Sequence, residues 1–370
     1  MSDTAEIQIP QILKMQVPLL QLQVYLSEGC SLSCRNCSCS SDITHGESAR
    51  FLPLDLFSQA IRQARPLGLQ SVRLSGPQTL QHPEIIDVLD DLQRQSLNVV
   101  VEASSEGITP KLARRLARMH SVSVSIGLDG ANAETHDQLN GVPGQFRRVV
   151  ATARMISKAG LAPEIVTNLK RLNAGQLPDL IRLAEKLHAG SIHFVLPQPS
   201  LEQNSSDPTT NLEVAELIAL CHKVEHQLVP KTQLKLQYGA PPAFRGLHPM
   251  ARIEGQGRCN LLNNLSLLAS GEFAFCGIGR RIPELVFGQV NQVLLEALWK
   301  DNPLLKELRD GMPEKLYGIC KHCIMKTACL GNCAAENYVQ TGSFFSPYWF
   351  CETASQAGLF PAGRLIENIW

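Results

Sequence analysis

Short apolar runs alternate with amphipathic stretches through the first 200 residues of the chain. The runs, bounded by glycine, proline or polar residues, predict buried strands at 20–26, 72–75, 97–101, 122–128, 163–169 and 192–196. Apolar residues at helical spacing predict helices at 83–95, 110–119, 146–159 and 176–187. Strands that alternate with helices predict an α/β fold with a parallel sheet and helices on its outside. Six such units suit a partial, open (β/α)6 barrel rather than a closed barrel of eight.

The pattern changes after the last predicted strand. Residues 198–210 are polar, 211–228 have the spacing of an amphipathic helix, and 239–258 hold the prolines and glycines of a linker. Cysteines become dense from Cys259 onward. A chain of 370 residues is long enough for two domains. We therefore predict an N-terminal segment at 1–19, the barrel at 20–200, a bridge helix and linker at 201–255, and a cysteine-rich domain at 256–370.

Charge and composition narrow the range of partners. Lysine plus arginine and aspartate plus glutamate both number 34, so the net charge is zero, which weighs against a nucleic acid partner. The sequence has no apolar stretch long enough to span a membrane, and its first residues are not a secretion signal. Twelve cysteines in such a chain favour metal binding over disulfides. We expect a cytoplasmic protein without a membrane partner.

Three cysteines follow the first predicted strand directly. Cys30, Cys34 and Cys37 have C-x3-C-x2-C spacing on one short loop. Three thiolates from one loop can hold three irons of a 4Fe–4S cluster and leave the fourth iron open to a small chelating molecule. A zinc knuckle or a buried group of thiols is the alternative. Active sites of parallel α/β folds lie at the carboxyl ends of the strands, where this loop falls.

This loop resembles that of radical S-adenosylmethionine (radical SAM) enzymes. The resemblance implies that the open iron binds the amino and carboxylate groups of SAM. It further implies that an electron, received from an external donor such as flavodoxin or ferredoxin, cleaves SAM to a 5′-deoxyadenosyl radical, which takes a hydrogen atom from the substrate. The hard chemistry of such an enzyme belongs to the cofactors, and the protein supplies ligands and orientation.

A second cysteine set occupies the C-terminal part of the chain. It comprises Cys259, Cys276, Cys320, Cys323, Cys329, Cys333 and Cys351, with Gly271 in a predicted hairpin turn before Cys276. This pattern resembles the SPASM domain, an iron–sulfur extension of radical SAM enzymes that modify peptides; a zinc ribbon is the alternative. The resemblance implies two auxiliary 4Fe–4S clusters.

The family's interleaved pattern implies how these cysteines divide. It assigns Cys320, Cys323, Cys329 and Cys351 to an outer cluster. Cys259, Cys276 and Cys333 go to an inner cluster with one vacant ligand position. The two spare cysteines are interpreted as a bystander, Cys39, and as a buried helical thiol, Cys221.

The expected SAM pocket departs from the family pattern. Family members usually carry Gly-Gly-Glu-Pro after the second strand, whereas here only Gly76 remains and the carboxylate position holds Gln78. Asn36 replaces the usual aromatic residue before the third cysteine. The family often has serine at the position of Gly127. Ser125 lies two residues earlier, and side chains two residues apart on a strand point to the same face, so it is a candidate substitute. The candidate SAM-binding residues are Asn36, Ser75, Gly76 and Ser125.

The resemblance implies oxidative modification of a ribosomally synthesised precursor peptide by a crosslink, a desaturation or an epimerisation. The N-terminal segment is too short for a peptide-recognition domain, so a separate recognition protein is a possible partner. Sulfatase-maturing members carry an aspartate base after the equivalent of Cys276; the glycine here, Gly277, disfavours that reaction. No residue is assigned as catalytic acid or base. The alternatives are a radical SAM dehydrogenase of a small molecule and a non-catalytic iron–sulfur electron-transfer protein.

Overall fold

The structure is a computed structural model that describes residues 17–29, 50–199, 211–246, 262–278 and 282–366. Its strands are β1 Gln21–Tyr25, β2 Ser27–Glu28, β3 Arg50–Phe51, β4 Ser71–Ser75, β5 Asn98–Ala103, β6 Val122–Gly127, β7 Glu164–Asn168, β8 Ser191–Val195, β9 Lys235–Tyr238, β10 Asn264–Leu267, β11 Glu272–Ala274 and β12 Val286–Gln289. Its helices of the barrel half are α1 Leu54–Ala64, α2 Ile85–Arg94, α3 Pro110–Ala117, α4 Ala133–Asn140, α5 Gln145–Lys158, α6 Leu177–Lys186 and α7 Val214–Lys223.

The C-terminal half of the chain is mostly helical. Its helices are α8 Leu295–Asp301, α9 Pro303–Gly311, α10 Ile319–His322, α11 Lys326–Cys329, α12 Ala334–Thr341 and α13 Trp349–Gln356. Within the described segments, no helix has the length and apolar character needed to cross a membrane.

The six predicted strands lie side by side in one sheet. They are β1 and β4 to β8, and each pairs in parallel with the next. Residues on one face of each strand are buried against the helices, as Leu22 and Val24 are on β1, while the residues between them are only partly buried. This alternation has the period of two that a sheet requires. This topology confirms the predicted α/β fold with a parallel sheet, followed by a cysteine-rich C-terminal part.

Two further parallel strands extend this sheet at its edges: β9 was not predicted, and β10 was predicted only as a strand of the Gly271 hairpin. β9 adds to β8, and β10 adds to β1, so that the full order is β12-β11-β10-β1-β4-β5-β6-β7-β8-β9. β9 lies in the segment predicted as bridge and linker. Each of these two strands has only four residues, which is too short for a clear alternating pattern.

β10 and β11 form the hairpin that the sequence predicted around Gly271. The turn places Gly271 at φ +86°, and a Cβ there would come within 2.7 Å of Leu56 Cδ1. A residue with a side chain would therefore be strained and crowded at this position. The hairpin leads directly to Cys276.

The C-terminal half is attached to the first strand of the barrel. Leu265 and Leu267 on β10 are completely buried beside β1. Trp299 Nε1 donates a hydrogen bond to the carbonyl of Val17 at 2.7 Å, and Leu295 N donates to Gln63 Oε1 at 2.7 Å. The buried apolar residues of both halves form one continuous cluster. The cysteine-rich half is therefore held against the strand that leads to the three-cysteine loop.

The substitution Leu267→Ala tests this attachment. It removes a fully buried side chain and should lower the free energy of unfolding by about 2–5 kcal/mol, because it leaves a cavity between β10 and the barrel. Leu294→Ala is the matched control, since Leu294 is 74% exposed, and it should change stability by less than about 0.5 kcal/mol. Chemical denaturation of both variants would measure the difference. Equal effects would contradict the burial of β10.

Candidate active site

The three-cysteine loop lies outside the described residues, but both of its flanks are described. β2 and β3 pair as antiparallel strands, with Glu28 opposite Arg50, so the chain leaves and re-enters at one place beyond the end of β1. Predictions for Cys30, Cys34, Cys37, Asn36 and Cys259 fall outside the described residues and stay predictions, as does the one for Cys39.

Gly76 lies directly against the strand that leads into this loop. Its φ is +123°, and a Cβ on it would be 2.9 Å from the carbonyl oxygen and 3.0 Å from the nitrogen of Ser27. Gln78 N donates to Ser27 Oγ at 2.9 Å, and Thr79 Oγ1 donates to the Gly76 carbonyl at 2.8 Å. Only glycine permits this approach. The segment that was predicted to bind SAM is therefore fixed beside the cysteine loop.

Polar side chains occupy the face of the sheet opposite the helices, here called the inner face. Its middle positions hold Gln23 on β1, Arg73 on β4, Glu102 on β5, Glu164 on β7 and His193 on β8, all partly buried. A closed barrel normally fills this space with apolar layers. Sequence analysis did not single out these residues, although polar residues alternating with apolar ones inside β1 and β4 were a usable signal. A polar interior fits a binding chamber better than a core.

Arg73 interacts electrostatically with the other charged or titratable side chains of the inner face. Its Nη1 lies 3.1 Å from Glu102 Oε1. Burial raises the pKa of Glu164, and the nearby Arg73 and Lys235 oppose that rise. Burial, together with Arg73, lowers the pKa of His193 to about 4, so its imidazole is neutral at physiological pH. The chamber therefore holds one guanidinium, two glutamates and a neutral imidazole.

Ser125 lies on the inner face of β6, between Glu102 and Glu164 in the strand register. Ser125 was predicted to share a strand face with residue 127, and the register agrees with this. The two positions differ in exposure, since Ser125 is buried and Gly127 is exposed. A Cβ on Gly127 would meet nothing within 4 Å. Space is therefore free beside Gly127, the position where the family has serine. A SAM contact from Ser75 or Ser125 stays a prediction.

The segment around Asp129 is structural. Asp129 N donates to His136 Nδ1 at 3.0 Å, and Asp129 Oδ1 accepts from Asn168 N at 2.8 Å. Asn173 Nδ2 donates to the carbonyls of Asp129 and Asn168, both at 2.8 Å. Burial lowers the pKa of His136, in agreement with a neutral ring that accepts a hydrogen bond. This network joins the ends of β6 and β7 and leaves His136 buried.

Four C-terminal cysteines line one cavity. They are Cys320, Cys323, Cys329 and Cys351, the set that the family pattern assigns to the outer cluster. The other lining residues are largely apolar, among them Pro241, Ile319 and Phe360. The structure therefore brings Cys351 to the three thiols that lie close together along the chain.

Backbone amides are directed at three of these sulfurs. Met325 N donates to Cys323 Sγ at 3.4 Å, Tyr348 N donates to Cys320, and the amides of Gly331 and Asn332 donate to Cys329. Amide donors of this kind stabilise thiolates and set the potentials of iron–sulfur clusters. The donor set of this cavity fits a cluster.

A strained turn provides the two amides at Cys329. Leu330, Gly331 and Asn332 all have positive φ angles, of 52°, 73° and 60°. Such a conformation costs energy in a residue with a side chain and is retained mainly at functional sites. Successive amides in such turns commonly form concavities that bind anions. The turn therefore has the geometry expected around a ligating thiolate.

The zinc alternative concerns the same four thiols. Zinc requires its four ligands to converge on one point about 2.3 Å from each sulfur. In a 4Fe–4S cluster each thiolate binds a different iron, so the sulfurs stand further apart while sharing one cavity. Iron and zinc analysis of the protein distinguishes the two.

The two described cysteines of the inner set lie outside this cavity lining. Cys276 follows the β10–β11 hairpin, and Cys333 immediately precedes α12. Aromatic contacts connect the two segments, because Phe275 packs on Phe344 at 5.4 Å between ring centroids and Phe344 packs on Tyr338 of α12 at 4.6 Å.

Cys221, the spare cysteine within the described residues, lies buried in α7, where burial raises its pKa to about 12. This is the buried helical thiol that the sequence predicted.

Comparison with known proteins agrees with this geometry. The chain is 26% identical over 338 residues to the AdoMet-dependent heme synthase of Methanosarcina barkeri, covering 88% of this chain and 94% of that protein. It is 24% identical over 334 residues to the PqqA peptide cyclase of Gluconobacter oxydans, covering 88% of each. The structure of Streptococcus suis SuiB bound to the precursor peptide SuiA superposes with a TM-score of 0.72 at 17% identity, covering 91% of this chain and 76% of that one.

The parallel sheet with its covering helices defines an α/β fold, and its C-terminal part carries four cysteines in one cavity. Residues 24–184 match the model of the radical SAM superfamily. These residues form a radical SAM domain, and the chain is an enzyme, as the sequence predicted. A 4Fe–4S cluster and SAM are the cofactors that this family implies.

The substitution Gly76→Ala tests the close approach beside the cysteine loop. It places a Cβ against the Ser27 backbone at a positive φ, so we expect a loss of about 1–3 kcal/mol in the free energy of unfolding. Gly127→Ala is the matched control, because its Cβ enters open space, and it should leave stability nearly unchanged. Chemical denaturation measures both. If Gly76→Ala were as stable as the control, the described approach to Ser27 would be incorrect.

Iron analysis tests the outer cysteine set. Anaerobically reconstituted wild-type protein should hold roughly twelve irons, and Cys329→Ala should lose about four of them. Cys221→Ala is the control and should retain all of them, since Cys221 is a buried thiol of α7. A wild-type content near four irons, or stoichiometric zinc, would contradict the presence of auxiliary clusters.

Proposed function

We propose that this chain oxidatively modifies a ribosomally synthesised precursor peptide as a radical SAM enzyme with two auxiliary clusters. The observation that carries the proposal is the outer-set cavity, where four cysteines share one space and amides are directed at three of the sulfurs. A radical SAM domain needs only three cysteines for its own cluster. A second thiol site attached to the same sheet is what an enzyme that removes electrons from its substrate requires.

The proposal gives each cysteine group a role. Cys30, Cys34 and Cys37 hold the SAM-binding cluster; when bound, this cluster and SAM supply a radical that removes hydrogen from the substrate. The outer auxiliary cluster is held by Cys320, Cys323, Cys329 and Cys351. The inner one is held by Cys259, Cys276 and Cys333, with an open iron or an unusual fourth ligand. The protein's own contribution is to orient these groups and exclude water from them.

A peptide substrate is supported by the relatives. One is named a PqqA peptide cyclase, and the protein of similar fold is bound to a precursor peptide. The polar, partly buried side chains of the inner face would suit contact with a side chain of such a peptide. The product would be a carbon–carbon or thioether crosslink, a desaturated residue or an epimer. The partners would include a flavodoxin or ferredoxin as electron donor and a separate peptide-recognition protein.

A second candidate substrate is a small molecule. The observation that favours it is the similarity over 338 residues to a heme synthase, a relative whose name indicates a non-peptide product. The same cysteine roles would serve both candidates. The candidates differ only in what enters the polar chamber.

Cofactor cleavage tests the proposal. Dithionite-reduced protein should release 5′-deoxyadenosine and methionine from SAM, and Cys34→Ala should abolish this release while the auxiliary iron remains. Release should be slow without substrate, because Gln78 and Asn36 provide weaker contacts to SAM than the family's residues. Each of these two weaker contacts loses about 1 kcal/mol of binding free energy, so the affinity for SAM falls by roughly one to two decades.

The substrate is identified in the same assay. Precursor peptides encoded beside the gene should accelerate deoxyadenosine release and gain a mass change measured by mass spectrometry. Acceleration by a heme precursor but by no peptide would favour the second candidate. If wild-type protein released no deoxyadenosine under any condition, the chain would be an electron-transfer protein.

A further inference from the structure

The backbone of Arg364 is joined to the backbone around Cys323, one of the four cysteines that line the outer-set cavity. Cys323 and Leu365 form a short antiparallel bridge. Ile324 N donates a hydrogen bond to the carbonyl of Arg364 at 2.9 Å. The bridge and this bond place Arg364 directly beside the Cys323 segment, although the two residues are 41 positions apart.

The guanidinium of Arg364 has a neutral hydrogen-bond partner. Its Nη2 donates to the carbonyl of Arg245 at 2.8 Å. A carbonyl accepts from a guanidinium without cancelling its charge, which arginine keeps at every physiological pH. Lys326, a cation of the cavity lining, differs in this respect because its Nζ lies 3.6 Å from a carboxylate oxygen of Glu314. The Arg364 side chain is therefore fixed in place with its positive charge intact.

The segment that holds this guanidinium also covers the cavity. Ala243 is one of the lining residues. Phe244 packs edge-on against Phe350 at 5.0 Å and against Phe360 at 5.4 Å between ring centroids, and Phe350 directly precedes Cys351. An apolar cover of this kind keeps water from the thiols, and charges act more strongly on one another where water is excluded.

The charge of Arg364 acts on Cys323. Burial raises the pKa of the Cys323 thiol, and a backbone amide and the Arg364 guanidinium oppose that rise. Burial also raises the pKa values of Cys320 and Cys351, and there the carboxylate of Glu352 adds to the rise. Arg364 thus offsets part of the negative charge that four thiolates and Glu352 would bring together.

We propose that Arg364 raises the reduction potential of the outer auxiliary cluster, through a guanidinium that the Arg245 carbonyl fixes near Cys323. The inference rests on the proposed function, because it takes the four outer-set cysteines as ligands of that cluster. Reduction by one electron makes such a cluster one unit more negative. A nearby positive charge therefore stabilises the reduced state more than the oxidised state. The outer cluster would then accept an electron more readily than it would without Arg364.

Arg364→Gln tests this role of the charge, because glutamine keeps a hydrogen-bond donor and removes the charge. In anaerobically reconstituted holoenzyme, a redox titration followed by EPR should show the outer-cluster midpoint shifted to a more negative potential. The outer-cluster signal is assigned by its loss in the double variant Cys329→Ala/Cys351→Ala. Arg364→Lys keeps the charge and should have a midpoint close to that of the wild type.

Arg309→Gln is the matched control for the loss of an arginine. Arg309 Nη1 donates to the carbonyl of Trp299, and its guanidinium lies 4.0 Å from the centroid of the Trp299 ring. This substitution removes the same charge and the same kind of bond to a carbonyl, but it does so where α8 and α9 meet. The midpoint of the outer cluster should stay unchanged.

The redox outcomes separate charge from packing. A wild-type midpoint in Arg364→Gln would overturn the inference and leave the proposed function standing. Equal shifts in Arg364→Gln and Arg364→Lys would also overturn it, because the effect would then come from altered packing.

Iron content separates the inference from the function on which it rests. Loss of the outer irons in Arg364→Gln but not in Arg364→Lys would support a role for the charge, whereas loss in both variants would overturn it. Full iron retention in Cys329→Ala/Cys351→Ala would overturn the outer cluster itself, and with it both the proposed function and this inference.

Discussion

The parallel pairing of β10 with β1 is the contact on which the rest of the molecule depends. β1 is the strand whose end leads to the three-cysteine loop, and β10 begins the hairpin that leads to Cys276. Hydrogen bonds between adjacent strands fix their separation at about 4.8 Å, so the two cysteine regions start from neighbouring strands of one sheet. The buried leucines of β10 then make this arrangement part of the core. The C-terminal half therefore cannot move independently without breaking the sheet.

Much of the fold was predictable because it rests on local pattern. Six strands and the main helices of the barrel follow from apolar runs and helical spacing, and the hairpin at Gly271 follows from a single turn residue. β9 was missed, and the pairing of β10 with β1 was not foreseen, because four residues carry little periodicity and their place depends on unsatisfied edges of a sheet formed by other strands. Sheet edges are a property of the assembled fold and leave no local mark in sequence.

The candidate site likewise has some features that the sequence predicts and others that it does not. The four outer-set cysteines could be predicted as a group from the resemblance to the SPASM pattern, and they line one cavity in the structure. The strained turn at 330–332 could not, because it begins at Leu330, a residue type that rarely adopts a left-handed backbone. The contact of Arg364 with the Arg245 carbonyl was equally hidden, since 119 positions separate the two residues along the chain. Chemistry carried by residue type is visible in a sequence, whereas contacts made by tertiary packing are not.

The small ribbon of β2 and β3 has a consequence for the order in which the protein is assembled. Its pairing of Glu28 with Arg50 closes the segment between them into a loop whose ends are held by the barrel. Folding of the barrel offsets the entropic cost of bringing the two ends of this segment together. That cost depends only weakly on the length of the segment. Both ends of the segment that carries the three predicted cluster cysteines are accordingly in place once the barrel has folded.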